Sequence, residues 1–429
     1  MKISPARTAA FDVLLKIFRD GGYSSILLPA AEADLSERDR GLCHELVMGV
    51  LRNRLLLDAV IDRFSGGKNL DLEVRTACEI GLYQILHLEK IPGYSAVNES
   101  VALVRRAKKS SAKGFVNALL RRASNLAKGD EFSDETERIS VQTSHPRWLI
   151  EKWVKDRGME ATEELATANN TRPTAAFRIT RKGIAEGLEA QADWNGSLIV
   201  TGCYLTERIS SELRDLSDRG LIYFQDEGSQ LVGSLVDVKP GSKFLDVSAA
   251  PGSKTTMTAA RSANDALFAA GDVYQSRARI LKANCIKQGV DNVWIVRYDA
   301  EVALPFADGE FDIVLLDAPC SGTGTIRNNP EIRYFLKPGD FEELHGKQLA
   351  MLRNASKMVK SGGRLIYSTC SLEPEENEHV LAEFLSGTSD FTISRPSVPV
   401  EYVTNAGFVR TSPEKHRMDG FFAAVLERG

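Results

Sequence analysis

The stretch KFLDVSAAPGSKT, residues 243–255, decides the fold of the second half of this chain. Its apolar start predicts a buried strand, and the small residues after Asp246 let the backbone approach a bound ligand closely. The dinucleotide pattern GxGxxG and the phosphate-loop pattern GxxxxGKS/T are both missing from this turn, which argues against a nicotinamide cofactor or ATP. S-adenosylmethionine remains among the nucleoside cofactors, because it carries no phosphate and needs close backbone approach and carboxylates for its ribose and ammonium groups.

Strands and helices alternate from this stretch to the end of the chain. Apolar segments spaced by helical stretches predict parallel strands at 244–247, 267–270, 293–296, 313–316 and 364–367. The segment at 420–426 follows the one at 407–409 too closely for a helical crossover, so we expect an antiparallel hairpin there. Together these segments predict a Rossmann-like α/β domain over residues 238–429, with a mostly parallel, seven-stranded sheet.

The first part of the chain has the apolar spacing of helices. Phe11, Leu14 and Phe18 recur at helical spacing, and Ser36 with Asp39 three residues later forms an N-cap pattern. We predict an all-α domain over residues 1–143, with a polar, acidic stretch near its end. Further helices in it are expected at 55–64, 73–88 and 96–107, with breaks at Gly66-Gly67 and Pro92-Gly93.

Residues 144–237 mix the two patterns. A helix opens at Pro146, and short strands are expected at 175–179, 197–200 and 221–224. This mixture predicts a small α/β subdomain between the other two domains. A length of 429 residues is enough for each of the three to bury its own core.

Composition argues against several classes of protein. No apolar run approaches the length of a membrane span, and the first residues lack the apolar stretch of a secretory signal, so we expect a cytoplasmic protein with no membrane partner. The six cysteines never form a Cys-x-x-Cys pair, and the six histidines are not grouped with them at zinc-like spacing. We therefore expect reduced thiols, no disulfide framework and no metal.

The net charge of −4 argues against a protein that coats nucleic acid nonspecifically, but it hides one basic stretch. Residues 101–128 contain no Asp or Glu and eight Lys or Arg: Arg105, Arg106, Lys108, Lys109, Lys113, Arg121, Arg122 and Lys128. Such a stretch is either a phosphate-binding patch or a solvated helix face, and charge alone does not choose between them.

Acidic residues follow the predicted strands of the large sheet. Asp272, Asp299 and Asp317 end the second, third and fourth strands, and Asp272 lies about 20 positions past the small-residue turn, where a carboxylate typically holds ribose hydroxyls. Each of them alone could be an ordinary turn or helix cap. Their shared position at strand ends favours a ligand site.

Two cysteines also stand at predicted strand ends. Cys320 lies in DAPCSG at 317–322, and Cys370 lies in YSTCS at 367–371. Either one alone could be an ordinary core residue, because free cysteine is among the most buried residue types. The carboxyl ends of strands, however, form the rim of the ligand crevice in an open α/β sheet. We therefore interpret the two thiols as a pair that carries chemistry.

Thiols and a carboxyl group at one site suit the methylation of cytosine at C5. A thiolate that adds to C6 turns C5 into an enamine-like nucleophile. A carboxylic acid near N3 stabilises the adduct, and a base then removes the C5 proton so that the enzyme is released by elimination. Asp317, Cys320 and Cys370 offer the functional groups for these three tasks.

These segments resemble the motifs of a known family. DAPCSGTG at 317–324 and YSTCS at 367–371, with ENE following at 376–378, are similar to the two signature motifs of the RNA cytosine-C5 methyltransferases. The resemblance implies that Cys370 is the nucleophile, that Cys320 assists release, and that Asp317 contacts the cytosine. The turn resembles the cofactor loop of that family, with a serine in place of its usual second glycine. The implied S-adenosylmethionine contacts are Ser248, Ala249, Ala250, Pro251, Gly252, Ser253, Lys254, Asp272, Asp299 and Asp317.

The helical first domain resembles the antitermination factor NusB, on RTAAFDVL at 7–14 and KGFVNALLRR at 113–122. A NusB-like domain fused to a cytosine-C5 methyltransferase is similar to a bacterial group that modifies small-subunit ribosomal RNA. This resemblance implies a monomeric enzyme whose partner is 16S ribosomal RNA before full assembly of the subunit. It also favours RNA contact over a solvated face for the basic residues. The implied RNA contacts are Arg105, Arg106, Lys108, Lys109, Lys113, Arg121, Arg122 and Arg172.

Two other functions stay open on the sequence. The same chemistry on transfer RNA would need the same residues. A non-catalytic RNA-binding regulator would need only the NusB-like domain. The intact cysteine and carboxylate motifs argue against the regulator, because a protein without catalysis has no use for them.

Overall fold

The computed structural model describes residues 3–126, 132–190, 194–262 and 266–429, with the backbone alone for 123–126 and 190. Lys128 and part of the predicted acidic stretch lie outside these residues. The chain forms two compact units, and the first of them is discontinuous: it comprises Met1–Thr171 together with Asn329–Leu336, while the second comprises Arg172–Asn328 and Lys337–Gly429. The division into three domains at 144 and 238 stays a prediction.

The first unit is helical, as predicted. Its helices are α1 (Pro5–Asp20), α2 (Ser24–Glu32), α3 (Glu37–Ser65), α4 (Leu72–His87), α5 (Gly93–Arg106), α6 (Lys113–Leu126), α7 (Glu135–Thr143), α8 (Arg147–Arg157) and α9 (Met159–Ala168). The Ser36 hydroxyl accepts a hydrogen bond from the Asp39 amide at 3.2 Å, which confirms the N-cap of α3. The separate helix expected at 55–64 is the second half of α3, because the helix continues through Gly49 and contains no proline before it ends at Gly66.

The late segment of the first unit, Asn329–Leu336, is anchored by buried polar groups. Glu331 accepts hydrogen bonds from the amide and the hydroxyl of Ser24, at 2.6 and 2.9 Å. The fully buried Arg333 guanidinium donates to the carbonyl of Thr143 at 3.0 Å and to Asn170 at 2.9 Å. Arg333 lies in a one-turn helix, Ile332–Phe335, and Glu331 directly precedes this helix.

The second unit begins with a small antiparallel sheet. Its strands are β1 (Ala175–Ile179), β2 (Cys203–Thr206) and β3 (Ile222–Phe224), in the order β2-β1-β3. The strand predicted at 197–200 is wrong, because the Ser197 hydroxyl accepts hydrogen bonds from the amides of Ile199 and Val200, both at 2.9 Å, and folds this segment into a turn.

The large sheet of the second unit is mostly parallel, as predicted, but it has eight strands and not seven, because the sequence did not predict the short strand at 391–394. Its strands are β4 (Lys243–Asp246), β5 (Leu267–Asp272), β6 (Val293–Arg297), β7 (Phe311–Asp317), β8 (Val359–Thr369), β9 (Phe391–Ser394), β10 (Val409–Arg410) and β11 (Phe422–Arg428). Their order is β10-β11-β8-β7-β4-β5-β6. Both β10 and β9 pair with β11, β10 near the start of that strand and β9 near its end. The four neighbouring pairs from β8 to β6 are parallel, and β11 is antiparallel to β8. β10 is antiparallel to β11, which confirms the pairing predicted for the end of the chain.

Helices connect these strands. They are α10 (Arg181–Ala185), α11 (Ser211–Asp218), α12 (Glu227–Ser234), α13 (Ser253–Arg261), α14 (Gln275–Lys287), α15 (Ile332–Phe335, the one-turn helix above), α16 (Asp340–Met358), α17 (Glu378–Ser386) and α18 (Pro413–His416). None of the helices in the described part of the chain is long and apolar enough to cross a membrane.

The strand order sets the position of the site. From β4 the chain moves outward to β5 and β6, and then returns to the other side of β4 with β7. The point between β4 and β7 is therefore the topological switch point, where open α/β sheets bind ligands at the carboxyl ends of their strands. Asp317 of β7 lies directly opposite Ser368 of β8, so the segments that follow these two strands begin side by side.

Candidate active site

The two cysteines predicted from the sequence meet at this edge of the sheet. The Sγ atoms of Cys320 and Cys370 are 3.2 Å apart, and both side chains are half-buried. The other four cysteines, at positions 43, 78, 203 and 285, are buried in cores. The structure therefore separates one accessible pair of thiols from four packing residues.

The contact between the thiols makes them unequal. The hydrogen bond with Cys370, together with burial, raises the pKa of the Cys320 thiol well above its usual value. Cys320 consequently keeps its proton and can donate it in a hydrogen bond to the sulfur of Cys370. A hydrogen bond to a thiolate stabilises the charge, so the pair favours a nucleophile at Cys370.

Asp317 is held by a buried lysine at the same edge. Lys254 Nζ lies 2.6 Å from Asp317 Oδ2, and the hydroxyl of Ser368 donates to Oδ1 at 2.7 Å. Burial opposes the charge on Lys254, but Asp317 and Cys370 outweigh it and raise the pKa of the lysine. A permanent positive charge thus faces both the predicted cytosine contact and the predicted nucleophile.

Hydrogen bonds from neighbouring residues fix the backbone of the cofactor loop, residues 248–254. The Ala249 amide donates to the carbonyl of Gly271 at 2.8 Å, and Arg277 and Asn284 of α14 donate to the carbonyls of Ala250 and Pro251, at 2.7 and 2.9 Å. Gly252 has a φ of +102°, and a Cβ there would lie 2.7 Å from a methyl group of Leu281. Both facts require glycine at this turn.

The small sheet also supports the loop. Arg178 of β1 is buried, and its guanidinium donates to the carbonyl of Ser253 at 3.1 Å and to the hydroxyl of Thr256 at 2.8 Å. These contacts fix the first turn of α13, whose free amides face the loop. Arg178 could not be predicted from the sequence, because only the folded chain brings β1 next to α13.

The carboxylates around the loop differ in their surroundings. Asp272 is buried and pairs with Arg277 at 3.1 Å, whereas Asp299 is exposed and accepts a hydrogen bond from the Glu301 amide at 2.9 Å. Asp246 is buried with Thr255 donating to Oδ2 at 2.6 Å, and its Oδ1 has no hydrogen-bond partner among the described residues. Burial raises the pKa of Asp246 to about 7.

These groups fit S-adenosylmethionine. The unpartnered oxygen of Asp246 suits a cationic ammonium group, and Asp272 suits ribose hydroxyls at the end of the next strand. The glycine turn leaves the backbone open to close approach. No group of three or more His, Cys, Asp or Glu that could hold a metal ion occurs within the described ranges.

The predicted RNA-binding residues of the helical unit are only partly free. Arg106 forms two hydrogen bonds with Asp12, at 2.7 and 2.8 Å, and Lys109 lies 3.0 Å from Asp71. Arg105, Lys108, Arg121 and Arg122 are exposed, Lys113 is half-exposed, and Arg172, in the second unit, is exposed. Acidic residues distant in sequence therefore offset part of the basic stretch.

Glu376 is a further residue of the site to which the sequence assigned no role. This buried carboxylate accepts hydrogen bonds from Ser321 and Ser371, the residues that follow the two cysteines. The signal in the sequence was the ENE segment six positions after Cys370.

Comparison with known proteins agrees with this architecture. Residues 234–427 match the family model "16S rRNA methyltransferase RsmB/F", and residues 4–125 match the NusB family. A probable ribosomal RNA small subunit methyltransferase B of Bacillus subtilis is 30% identical over 449 residues that cover all of both chains. A ribosomal RNA small subunit methyltransferase B of Pseudomonas putida is 33% identical, with 89% of each chain covered. The crystal structure of PH0851 covers 100% of both chains with a TM-score of 0.83 and 26% identity.

Proposed function

Because the chain belongs to the RsmB/F family of 16S rRNA methyltransferases, we propose that it transfers a methyl group from S-adenosylmethionine to C5 of a cytosine in 16S ribosomal RNA, through a covalent adduct between Cys370 and C6. One observation carries the chemistry: two half-buried thiols 3.2 Å apart, beside the ion pair of Asp317 and Lys254. Neither metal-dependent nor simple general-base methylation needs such a pair.

The first step belongs to Cys370. Its thiolate, stabilised by the Cys320 thiol and by the charge of Lys254, attacks C6 of the cytosine and forms a C–S bond. We place the carboxyl group of Asp317 at the N3 side of the ring, where it gives a proton to N3 as the electron pair moves there and takes the proton back after C5 has accepted the methyl group. The C5=C6 bond is consumed, and C5 becomes the nucleophile.

The bound cofactor supplies an electrophilic methyl group on a sulfonium. The residues that would hold the cofactor are the loop 248–254, with Asp246 for the ammonium group and Asp272 for the ribose hydroxyls. Cofactor contacts at Asp299 stay a prediction, because the Glu301 amide already engages its carboxylate.

The last step belongs to Cys320. Once Cys370 is bonded to carbon, its negative charge and its hydrogen bond with Cys320 are lost, and with them the largest cause of the raised pKa of Cys320. Cys320 can then lose its proton to solvent and take the proton from C5. The electron pair of the C5–H bond reforms C5=C6 and expels the Cys370 thiolate. The same contact thus keeps Cys320 protonated before the adduct forms and frees it afterwards.

The target base must leave its stack to reach the thiols. Extrusion costs a few kcal/mol and is least costly in an unpaired loop. We propose that the exposed basic residues of the helical unit contact phosphates of the RNA, that the protein acts as a monomer in the cytoplasm, and that it acts before the small subunit is fully assembled.

The test uses labelled S-adenosylmethionine and small-subunit RNA. We expect Cys370→Ala to abolish both methyl transfer and the covalent adduct, and Cys320→Ala to accumulate an RNA adduct that migrates slowly on denaturing gels. The control is Cys285→Ala, a core thiol that should leave activity intact. Unchanged methyl transfer by Cys370→Ala would disprove the nucleophile assignment.

Transfer RNA is the second candidate substrate, since the same thiols and carboxylate would serve it. Mapping 5-methylcytosine across total RNA with and without the gene distinguishes the two substrates. A non-catalytic regulator is disfavoured by the pairing of the thiols, and any Cys370-dependent adduct would exclude it.

A further inference from the structure

Glu376 accepts hydrogen bonds from both segments that carry the cysteines: the Cys320 segment, residues 317–324, and the Cys370 segment, residues 367–371. Its carboxylate accepts hydrogen bonds from the Ser321 amide at 2.8 Å, from the Ser321 hydroxyl, and from the Ser371 hydroxyl at 2.6 Å. Ser321 directly follows Cys320, and Ser371 directly follows Cys370. Glu376 is fully buried. One side chain therefore joins the backbone positions that set the distance between the two sulfur atoms.

Gln348 adds two hydrogen bonds that hold the Cys320 segment. The Gln348 amide of α16 donates to Glu376 at 3.0 Å and to the carbonyl of Pro319 at 2.9 Å. The residues on both sides of Cys320, Pro319 and Ser321, are thus held by Glu376 directly or through Gln348. At the beginning of the Cys320 segment the Ala318 amide donates to the Ser368 carbonyl at 2.8 Å, and at its end the Gly324 amide donates to the Cys370 carbonyl at 2.9 Å.

The Cys370 segment depends less on Glu376. Thr369 donates to Asn377 at 2.6 Å, and Asn377 donates back to the carbonyl of Ser371 at 2.9 Å. The Cys370 carbonyl also accepts a hydrogen bond from the Gly324 amide at 2.9 Å. Cys370 therefore keeps three contacts that do not involve Glu376, and it continues directly from the long strand β8.

We propose that Glu376 is a positioning residue that holds Cys320 within reach of Cys370, and that it acts chiefly on release of the methylated product. This inference rests on the proposed function, because it makes Glu376 support the role of Cys320 in product release. Loss of the carboxylate leaves buried donors of Ser321 and Gln348 without an acceptor, and the Cys320 segment shifts to satisfy them. The covalent adduct still forms, but its resolution slows.

The direct test is Glu376→Ala, studied with small-subunit RNA and S-adenosylmethionine. We expect kcat to fall about 10- to 100-fold, the order expected for a displacement of about 1 Å at a reacting group, while the KM values stay close to wild type. We also expect the RNA adduct to accumulate on denaturing gels, as in Cys320→Ala. In the double variant with Cys320→Ala the Glu376 substitution should have no further effect, because both act on one step.

Two further variants test whether Glu376 acts through its hydrogen bonds, through its charge or only through the stability of the fold. Glu376→Gln restores activity, because an amide can accept from the Ser321 and Gln348 donors through its oxygen and donate to the serine hydroxyls through its nitrogen. Ser321→Ala removes one hydroxyl only and should give a smaller effect of the same kind, which keeps the test valid if Glu376→Ala unfolds. The control is Glu383→Ala, a half-exposed glutamate of α17 that pairs with His345.

The outcomes separate the two proposals. If Glu376→Ala turns over normally, or loses adduct formation and methylation together, the positioning role in release is wrong. The same holds if Glu376→Gln is as slow as Glu376→Ala, since charge would then be the cause. If wild-type protein makes no 5-methylcytosine and Cys320→Ala traps no RNA, the proposed function itself fails.

Discussion

Replacement of Gly324 by alanine tests whether the chemistry depends on the packing behind the two thiols. Gly324 lies four residues after Cys320, between the backbones of Cys370 and Gly420: its amide donates to the Cys370 carbonyl at 2.9 Å, and its carbonyl accepts from the Gly420 amide at 2.8 Å. A Cβ at Gly324 would lie 2.0 Å from the Gly420 oxygen and 2.8 Å from the Cys370 oxygen.

These distances set the expected loss of stability and of rate in Gly324→Ala. Real Cβ contacts essentially never fall below 3.0 Å, so the Gly420 carbonyl and the Cys320 segment must separate by about 1 Å. Both neighbours are backbone atoms of strand ends and cannot rotate away. Overpacking of this kind costs about 1–3 kcal/mol of stability, and a 1 Å displacement near reacting groups costs up to about 100-fold in rate.

The assay is single-turnover methyl transfer to small-subunit RNA, with thermal unfolding measured on the same preparation. Gly324→Ala should lower the rate strongly at a temperature where the protein remains folded. Gly339→Ala is the matched control, because Gly339 has an ordinary φ of −75° and no atom within 4 Å of an added Cβ. A Gly324→Ala protein with the wild-type rate and unfolding midpoint would refute the reasoning.

Three other predictions concern the cofactor pocket and the thiols. The buried carboxyl of Asp246, with a pKa of about 7, gains charge as pH rises, so calorimetry should show cofactor binding tightening up to about tenfold per unit below pH 7, and Asp246→Asn should flatten this dependence. Constant affinity in the wild type would count against Asp246. Lys254→Met should slow single-turnover transfer about 100-fold, because Asp317 loses its charged partner at 2.6 Å, and its effect should not add to that of Asp317→Asn in a double-mutant cycle. Full additivity would show that the two act separately. Brief alkylation of the native protein, read by mass spectrometry, should modify Cys370 first; early labelling of the core thiols would contradict the assignment, since burial raises the pKa of Cys43 and Cys203 to about 12 and that of Cys285 to about 11.

Local patterns predicted most of the fold. The period of apolar residues located seven of the eight strands of the large sheet, and Ser36 with Asp39 located a helix start, because both signals arise within a few residues. The strand expected at 197–200 failed for a local reason too, since a serine hydroxyl satisfied the amides that a strand would have paired.

The sequence predicts those residues of the site that directly follow strands of the large sheet. The two thiols and Asp317 follow strands, and the parallel sheet brings strand ends together. The pairing of Lys254 with Asp317 could not be predicted from the sequence, because β4 and β7 are neighbours only in the folded sheet. The basic stretch shows the same limit, since Arg106 is paired with Asp12, 94 positions away.

The discontinuous first unit has a consequence for how this protein is made. During synthesis, the first 171 residues emerge without Glu331 and Arg333, whose buried hydrogen bonds to Ser24, Thr143 and Asn170 complete the helical unit. These hydrogen bonds can form only after residue 336 has left the ribosome, and by then the segment that contains Cys320 has been translated. A gene cut after residue 171 therefore yields an N-terminal piece that lacks part of its own interior.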